Sequence, residues 1–137
     1  VFLPVVRRQE LEHREKVEEV IDFLGLQHYR DQFVRSLPYG VRKVVELARA
    51  LATEPKLLML DEPSSGLNVE ETQDMAFWIR DIRQQLGITL LMVEHDMKLV
   101  ADVSDRVLAL NDGRVIAEGS PSSVQNNADV VKAYLGE

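Results

Sequence analysis

The 137-residue chain is long enough for one domain with a single hydrophobic core, and its composition, 45% hydrophobic and 28% charged, is that of a globular protein. Its formal net charge of -7 argues against nucleic-acid binding, which favours a basic surface, and the absence of cysteine excludes disulfides and thiolate metal sites. No apolar run approaches the roughly 18 residues that cross a bilayer and the N-terminus lacks the order of a signal peptide, so we expect any membrane role to run through a partner protein.

The first predicted element is a charged amphipathic helix over residues 9–25. Its apolar residues recur at helical spacing, and Gly25 is a residue type that ends helices. These apolar residues are Val17, Val20, Ile21 and Leu24. The charged run "EHREKVEE" is interpreted as the solvated face of this helix rather than as an acidic binding site.

A second helix is predicted to follow "SLPYG", residues 36–40, and to run to about Thr53. Taken alone, this pentapeptide is only a helix start, with Ser36 as the cap and Pro38 in the first turn. The apolar face of the helix comprises Val44, Leu47, Ala48 and Leu51.

A strand and a third helix come next. "KLLML", residues 56–60, is short, apolar and followed by a turn, which is typical of a fully buried parallel strand. Asn68 is predicted to cap the third helix, with Glu71 completing a capping box and Gly87 ending the helix. The predicted buried stripe is Met75, Ala76, Ile79, Ile82 and Leu86, with Phe77 and Trp78 as packing residues.

The rest of the chain continues the alternation of strands and helices. "ITLLMVE", residues 88–94, predicts a second buried strand, and a short helix is expected from about Met97 to Val103. "RVLALNDGRVIAEG" predicts two strands around an Asp112-Gly113 hairpin turn. Short helices are predicted from Ser120-Pro121 and over "ADVVKAYLGE". This order is that of an α/β protein with a parallel sheet.

Titratable residues follow both predicted parallel strands. Asp61 and Glu62 end the first strand, and Glu94 and His95 end the second, at the sheet edge where ligands gather. Asp61 can hold Mg²⁺, Glu62 can polarise a water, and His95 can hydrogen-bond a transferring phosphoryl group. Two alternatives stay open at this point: an ordinary strand end for the acidic pair, and a structural role for a lone histidine.

"LPYGVRKVVELARALATEPKLLMLDEPSSGLN" followed by "TLLMVEHDM" resembles the C-terminal half of an ATP-binding subunit of an ABC transporter. The LPYG sequence and the segments "EHDMKLV", "IAEGSP" and "AYLG" are similar to the branched-chain amino acid transporter group, and the resemblance covers residues 9 to 137. It implies part of a P-loop NTPase core with parallel strands and a C-terminal β-hairpin, over residues 54–137. Residues 1–53 would then be part of the helical subdomain.

The resemblance implies a role for each matched residue. Asp61 stands at the Walker B aspartate, which holds Mg²⁺, Glu62 at the catalytic glutamate and His95 at the switch histidine. The D-loop, which touches a second subunit, comprises Ser64, Ser65, Gly66, Leu67 and Asn68. The signature comprises Leu37, Pro38, Tyr39, Gly40 and Val41. It would bind the γ-phosphate of ATP held by the opposite subunit, since a helix N-terminus offers N–H groups to a phosphate.

Some positions depart from the family pattern. Pro38 replaces a serine, Val41 replaces the usual glutamine, and Asn68 replaces the common aspartate. The 137 residues contain no G-x-x-x-x-G-K-[ST] loop, because none of the seven glycines precedes a lysine. We therefore expect the C-terminal fragment of an ATPase subunit, arising by truncation, design, proteolysis or a split or decayed gene. ATP and Mg²⁺ would be cofactors of the whole subunit, and we expect neither to bind this chain by itself.

The leading functional prediction is an ATP-hydrolysing subunit that powers branched-chain amino acid import at the cytoplasmic face of the membrane. Its partners would be a second ATP-binding subunit and transmembrane permease subunits docked beside residues 9–53. The alternatives are a non-catalytic interaction module and an inactive structural remnant.

The resemblance also predicts a gap in the sheet. It places the phosphate-binding strand between the "TLLMVE" and "RVLAL" strands. Without it, either these two strands close up directly or a second copy of the chain covers the exposed edge as a homodimer.

Overall fold

The computed structural model describes the backbone of residues 4–135. Its helices are α1 (Pro4–Phe23), α2 (Tyr39–Leu51), α3 (Val69–Leu86), α4 (Met97–Val103), α5 (Pro121–Gln125) and α6 (Ala128–Leu135), with short 3-10 helices at Gln27–Tyr29 and Val34–Ser36. Its strands are β1 (Leu57–Asp61), β2 (Thr89–Val93), β3 (Val107–Asn111) and β4 (Arg114–Gly119). Within residues 4–135, no helix has the length and apolar character needed to cross a bilayer.

The chain divides into two compact units. One comprises residues 1–60 and 82–91, and the other comprises residues 61–81 and 92–137. The subdomain boundary predicted between residues 53 and 54 is an assignment within the resembled family, and it stays a prediction.

Helix α1 starts earlier than predicted and ends where predicted. It begins at Pro4 rather than at residue 9. At its end, Gly25 adopts φ 67°, and the amides of Gly25 and Leu26 donate to the carbonyls of Asp22 and Ile21. This pair of bonds is the Schellman arrangement that glycine favours. The charged run is exposed, as predicted, except for the half-buried Lys16, and its Arg14 pairs with Glu10 one turn earlier at 2.7 Å.

The start of α2 differs from the prediction. Ser36 does not cap the helix: it lies in a 3-10 helix, and its hydroxyl donates to the carbonyl of Phe33 at 2.7 Å. The N-cap is Pro38, and the helix begins at Tyr39. The reason is steric, because a proline disfavours helical geometry in the residue before it, and Leu37 is accordingly extended at ψ 147°. Leu47 and Leu51 are buried on the predicted apolar face.

Strands β1 and β2 form a two-stranded parallel sheet. The Thr89 amide donates to the Lys56 carbonyl at the start of the sheet, and the Glu62 amide donates to the Val93 carbonyl at its end. The predicted full burial is wrong: Leu57 is 50% exposed, Met59 is 69% exposed and Leu91 is 53% exposed, whereas Leu58 is buried. Side chains alternate across a strand, and the described residues cover only one of the two faces.

Helix α3 begins with the predicted capping box. The Asn68 amide donates to Glu71 Oε2 and the Glu71 amide donates to Asn68 Oδ1, both at 3.0 Å. Of the predicted stripe, Met75, Ala76, Ile79 and Ile82 are buried. Leu86 is 47% exposed because it is the last helical residue before the chain turns at Gly87, whose φ is 63°.

The packing predicted for the two aromatic residues of α3 is only partly found. Phe77 is 48% exposed, and its ring meets that of Trp78 in an edge-to-face arrangement with centroids 5.0 Å apart. Edge-to-face contact is a favoured geometry for two aromatic rings.

The C-terminal part of the chain is an antiparallel hairpin covered by short helices. Asp112 and Gly113 both adopt positive φ, 48° and 74°, which confirms the predicted turn between β3 and β4. Ser120 caps α5 by accepting from the Ser123 amide, and α5 and α6 pack on the hairpin. The core of this layer is Ala109, Val124 and Val130, flanked by Val107, Ile116 and Ala117.

The described strands form two separate sheets, β1 with β2 and β3 with β4. The expectation that β2 and β3 close up directly is therefore wrong. β3 instead pairs with β4 alone among the described strands, in an antiparallel hairpin. Coverage of the sheet edge by a second copy of the chain stays a prediction.

Candidate functional site

Two strand ends meet at one edge of the β1–β2 sheet. The hydrogen bond of 2.9 Å from the Glu62 amide to the Val93 carbonyl sets the two ends side by side. Asp61 and Glu62 therefore lie next to the segment that carries Glu94 and His95. This adjacency follows from the parallel pairing, because parallel strands end at the same edge of their sheet.

Glu62 and His95 face each other across this edge. Glu62 Oε1 lies 3.7 Å from His95 Nδ1, and their side chains are 51% and 67% exposed. The distance is too long for a direct hydrogen bond and short enough for an electrostatic contact when the imidazole is protonated. Both groups are thus accessible to a ligand and to water.

Glu62 also occupies an unusual backbone position. Its φ is 44°, in the left-handed region that non-glycine residues seldom adopt. The Ser65 amide donates to the Glu62 carbonyl at 3.1 Å and closes a turn immediately after the strand. Glu54 and Asp112 also adopt positive φ, so this conformation marks the tight turn after β1 and does not by itself assign a role to Glu62.

Asp61 is exposed at the end of β1. Among the residues that the structure describes, no cluster of three or more His, Cys, Asp or Glu side chains could hold a metal ion. Mg²⁺ in nucleotide sites does not need such a cluster, because it keeps several waters and binds one or two carboxylates together with substrate phosphates. A single exposed carboxylate therefore fits Mg²⁺ delivered with a nucleotide.

Glu94 is the residue of this site to which the sequence assigned no role. Its side chain is 0% exposed. One carboxylate oxygen accepts from the amide of Ser64 at 2.9 Å and from the Ser64 hydroxyl. The other accepts from the amides of His95 at 2.8 Å and Asp96 at 3.2 Å. A buried carboxylate saturated by four donors connects the turn after Glu62 to the segment after β2.

The hydrogen bonds of Glu94 also determine its charge state. Burial alone raises the pKa of this carboxyl, but the bonds from the Ser64 hydroxyl and from the Ser64, Asp96 and His95 amides outweigh burial and hold the pKa below its ordinary value of 4.5. Glu94 is therefore an ionised, buried anchor at neutral pH.

We predict that Glu94 makes the fold sensitive to acid. Because the folded-state pKa lies below the unfolded one, ionised Glu94 stabilises the fold above the ordinary value of 4.5, and this contribution is lost as the pH falls through the folded-state pKa. In Glu94→Gln the free energy of unfolding should fall less steeply with pH than in the parent. Urea unfolding from neutral pH down to about pH 3 measures both slopes. Ser64→Ala should give an intermediate slope, and equal slopes for parent and Glu94→Gln would contradict the prediction.

The predicted D-loop and signature lie in different units of the chain. Residues 64–68 follow Glu62 and lead into α3: Ser64 is buried, Gly66 adopts φ 78° and Asn68 forms the capping box. Residues 37–41 lie in the unit of residues 1–60 and 82–91. The backbone amide of Arg42 donates the first hydrogen bond of α2 to the Pro38 carbonyl, at 3.0 Å. The amides of residues 39–41 therefore lie in the N-terminal turn of the helix. The roles of both segments stay predictions.

Comparison with known proteins shows similarity to ATP-binding proteins of ABC transporters. The ABC transporter family model matches residues 2–65, and the model for the branched-chain amino acid ATP-binding cassette transporter matches residues 114–137. The high-affinity branched-chain amino acid transport ATP-binding proteins BraF of Pseudomonas aeruginosa and LivG of Escherichia coli K12 are each 40% identical over 134 residues, covering 98% of this chain and 52% of the relative. The chain thus spans about half the length of these curated relatives.

Solved structures give the same result for the fold. The ADP conformation of MJ1267, an ATP-binding cassette of an ABC transporter, superposes with a TM-score of 0.84 at 33% identity, covering 92% of this chain and 51% of that one. A nucleotide-free ATP-binding cassette from an ABC transporter gives 0.82 at 32% identity over the same shares. The predicted fold class, an α/β portion of an ABC ATPase core, is confirmed. By sequence and by fold, the chain is a homologue of the ATP-binding subunits of branched-chain amino acid ABC transporters.

Proposed function

We propose that this chain is the catalytic C-terminal half of an ATP-hydrolysing subunit that energises the import of branched-chain amino acids. The observation that carries the proposal is the pairing of Glu62 and His95, 3.7 Å apart, beside Asp61 at the end of neighbouring parallel strands. Phosphoryl transfer needs a cation ligand, a group that orients the attacking water and a donor to the transferring phosphoryl group. Asp61, Glu62 and His95 are of the right chemical types for these three roles.

Each side chain has a separate task in this proposal. Asp61 would hold Mg²⁺, which when bound neutralises charge on the phosphate oxygens. Glu62 accepts a hydrogen bond from the attacking water and orients it, which its exposed carboxylate permits. His95 has Nδ1 on the side of Glu62 and would donate through Nε2 to a phosphoryl oxygen. The imidazole would thereby link the water-orienting group to the transferring phosphate.

The remaining parts of the site would come from partners. A second ATP-binding subunit would meet residues 64–68 and would receive the N-terminal turn of α2, residues 37–41, at its γ-phosphate. Transmembrane permease subunits would dock beside residues 9–53 and hold the protein at the inner face of the membrane. The names of the relatives, which are branched-chain amino acid transport proteins, support this choice of cargo.

A hybrid cassette tests the proposal. In it, residues 1–137 replace the matching segment of the Pseudomonas aeruginosa relative, which is about twice as long as this chain and supplies the rest of the cassette. We expect the purified hybrid to bind Mg-ATP, to be stabilised by it and to release phosphate. The relative itself is the positive control. A folded hybrid that binds Mg-ATP without hydrolysing it would overturn the catalytic proposal and favour the non-catalytic interaction module.

A further inference from the structure

The four hydrogen bonds of Glu94 connect two segments that the proposed function uses for different purposes. The turn 62–65 contains the water-orienting Glu62 and begins the predicted D-loop. The segment 94–96 contains His95. The Glu94 carboxylate accepts from Ser64 on the first segment and from His95 and Asp96 on the second. From this connection we infer that Glu94 is a positioning residue that fixes His95 relative to the turn after Glu62.

The Glu94 carboxylate is fully buried and fully hydrogen-bonded. Its side chain is 0% exposed, and both oxygens accept two bonds. An ionised carboxylate makes stronger hydrogen bonds than a neutral acceptor does. His95 Nδ1 lies 3.9 Å from Glu94 Oε2, so the imidazole lies against the same buried charge. A shift of the Ser64 peptide would therefore displace the carboxylate and, through it, the His95 backbone and ring.

The segment after Glu94 is itself anchored on its other side. Asp96 caps α4 by accepting from the amides of Lys98 and Leu99, at 2.9 and 3.0 Å. Gln125 of α5 then donates to the Met97 carbonyl at 3.0 Å. His95 is the exposed residue between these anchors and Glu94, so its position is determined by both. The functional meaning of this positioning rests on the proposed function, in which the turn contacts a second subunit and His95 contacts the phosphate.

The test needs no nucleotide, so it separates this inference from the proposed function. The chain has three histidines, His13, His28 and His95. In protein labelled with ¹³C-histidine, they give three ring signals, of which His13 and His28 are internal references. Glu94→Gln places an amide NH₂ where two donors need an acceptor. We expect it to move the His95 ring signal alone and to raise the exchange rates of the Ser64 and Asp96 amides about tenfold or more.

Two further variants make the result decisive. Ser64→Ala removes only the hydroxyl bond to Glu94, and we expect a smaller movement of the His95 signal, with no additional movement when it is combined with Glu94→Gln. Glu118→Gln is the control, because Glu118 is a surface carboxylate paired with Arg106, and it should move no histidine signal. An unchanged His95 signal in Ser64→Ala, together with unchanged exchange of the His95 and Asp96 amides, would overturn the inference even if Glu94→Gln does not fold. This result does not depend on whether the hybrid cassette hydrolyses Mg-ATP, so the inference and the proposed function can fail separately.

Discussion

Glu62→Gln in the hybrid cassette is expected to lower kcat for ATP hydrolysis by about 10²–10⁴-fold, the range for loss of a general base. Glutamine keeps the volume of the side chain and can still contact a water, but it cannot take up the water's proton. The φ of 44° at this position does not change the argument, because both residues carry the same Cβ and meet the same strain. Steady-state phosphate release against Mg-ATP concentration measures the effect.

The pattern of kinetic constants distinguishes a chemical role for Glu62 from a binding role. Loss of a group that acts only in the transition state lowers kcat and kcat/KM together and leaves KM near its original value. Glu118→Gln makes the same chemical change at a surface carboxylate of the hairpin that contacts Arg106, and it should leave both constants unchanged. A Glu62→Gln cassette that hydrolyses ATP as fast as its parent would remove Glu62 from the mechanism.

The elements that the sequence predicted well are those whose geometry is set within a few residues. The capping box of Asn68 and Glu71 closes over one turn of α3, and the Asp112-Gly113 turn needs only two residues with positive φ. The end of α1 at Gly25 is likewise a local event. Such features depend on side-chain-to-backbone bonds and backbone preferences that are independent of the rest of the fold.

The failed predictions of strand burial depend on what covers a surface. Leu57, Met59 and Leu91 have the sequence of a buried sheet, yet they are exposed on a face that no described element covers. An apolar run predicts that a strand prefers burial, but it does not say whether the partner layer is present in the same chain.

The sequence predicted one part of the candidate site, the part that strand topology determines. The parallel pairing brings the residues after β1 and β2 to one edge, so the proximity of Glu62 and His95 follows from topology. The anchoring role of Glu94 does not follow from topology, because it requires the positions of three backbone amides contributed by two segments. A charged residue at the end of an apolar strand was the only sequence signal for it.

Ile82→Ala is expected to lower the free energy of unfolding by about 2–5 kcal/mol, the range for emptying a fully buried aliphatic site. Ile82 is 0% exposed on α3. Alanine is the better helix former by a few tenths of a kcal/mol, which offsets only a small part of the lost packing. Against a total stability of about 5–15 kcal/mol, this is a large fraction, and it should appear as a lower urea midpoint with an unchanged m-value.

Leu86→Ala provides the matched control for Ile82→Ala, because the two positions lie on the same helix and on the same predicted stripe. Leu86 is 47% exposed, so its truncation leaves little cavity and should cost less than about 1 kcal/mol. The difference between the two variants therefore measures burial, with helix propensity and residue type held nearly constant. Equally large losses at the two positions would show that the α3 stripe is buried to its end, as the sequence predicted, and would contradict the exposure described for Leu86.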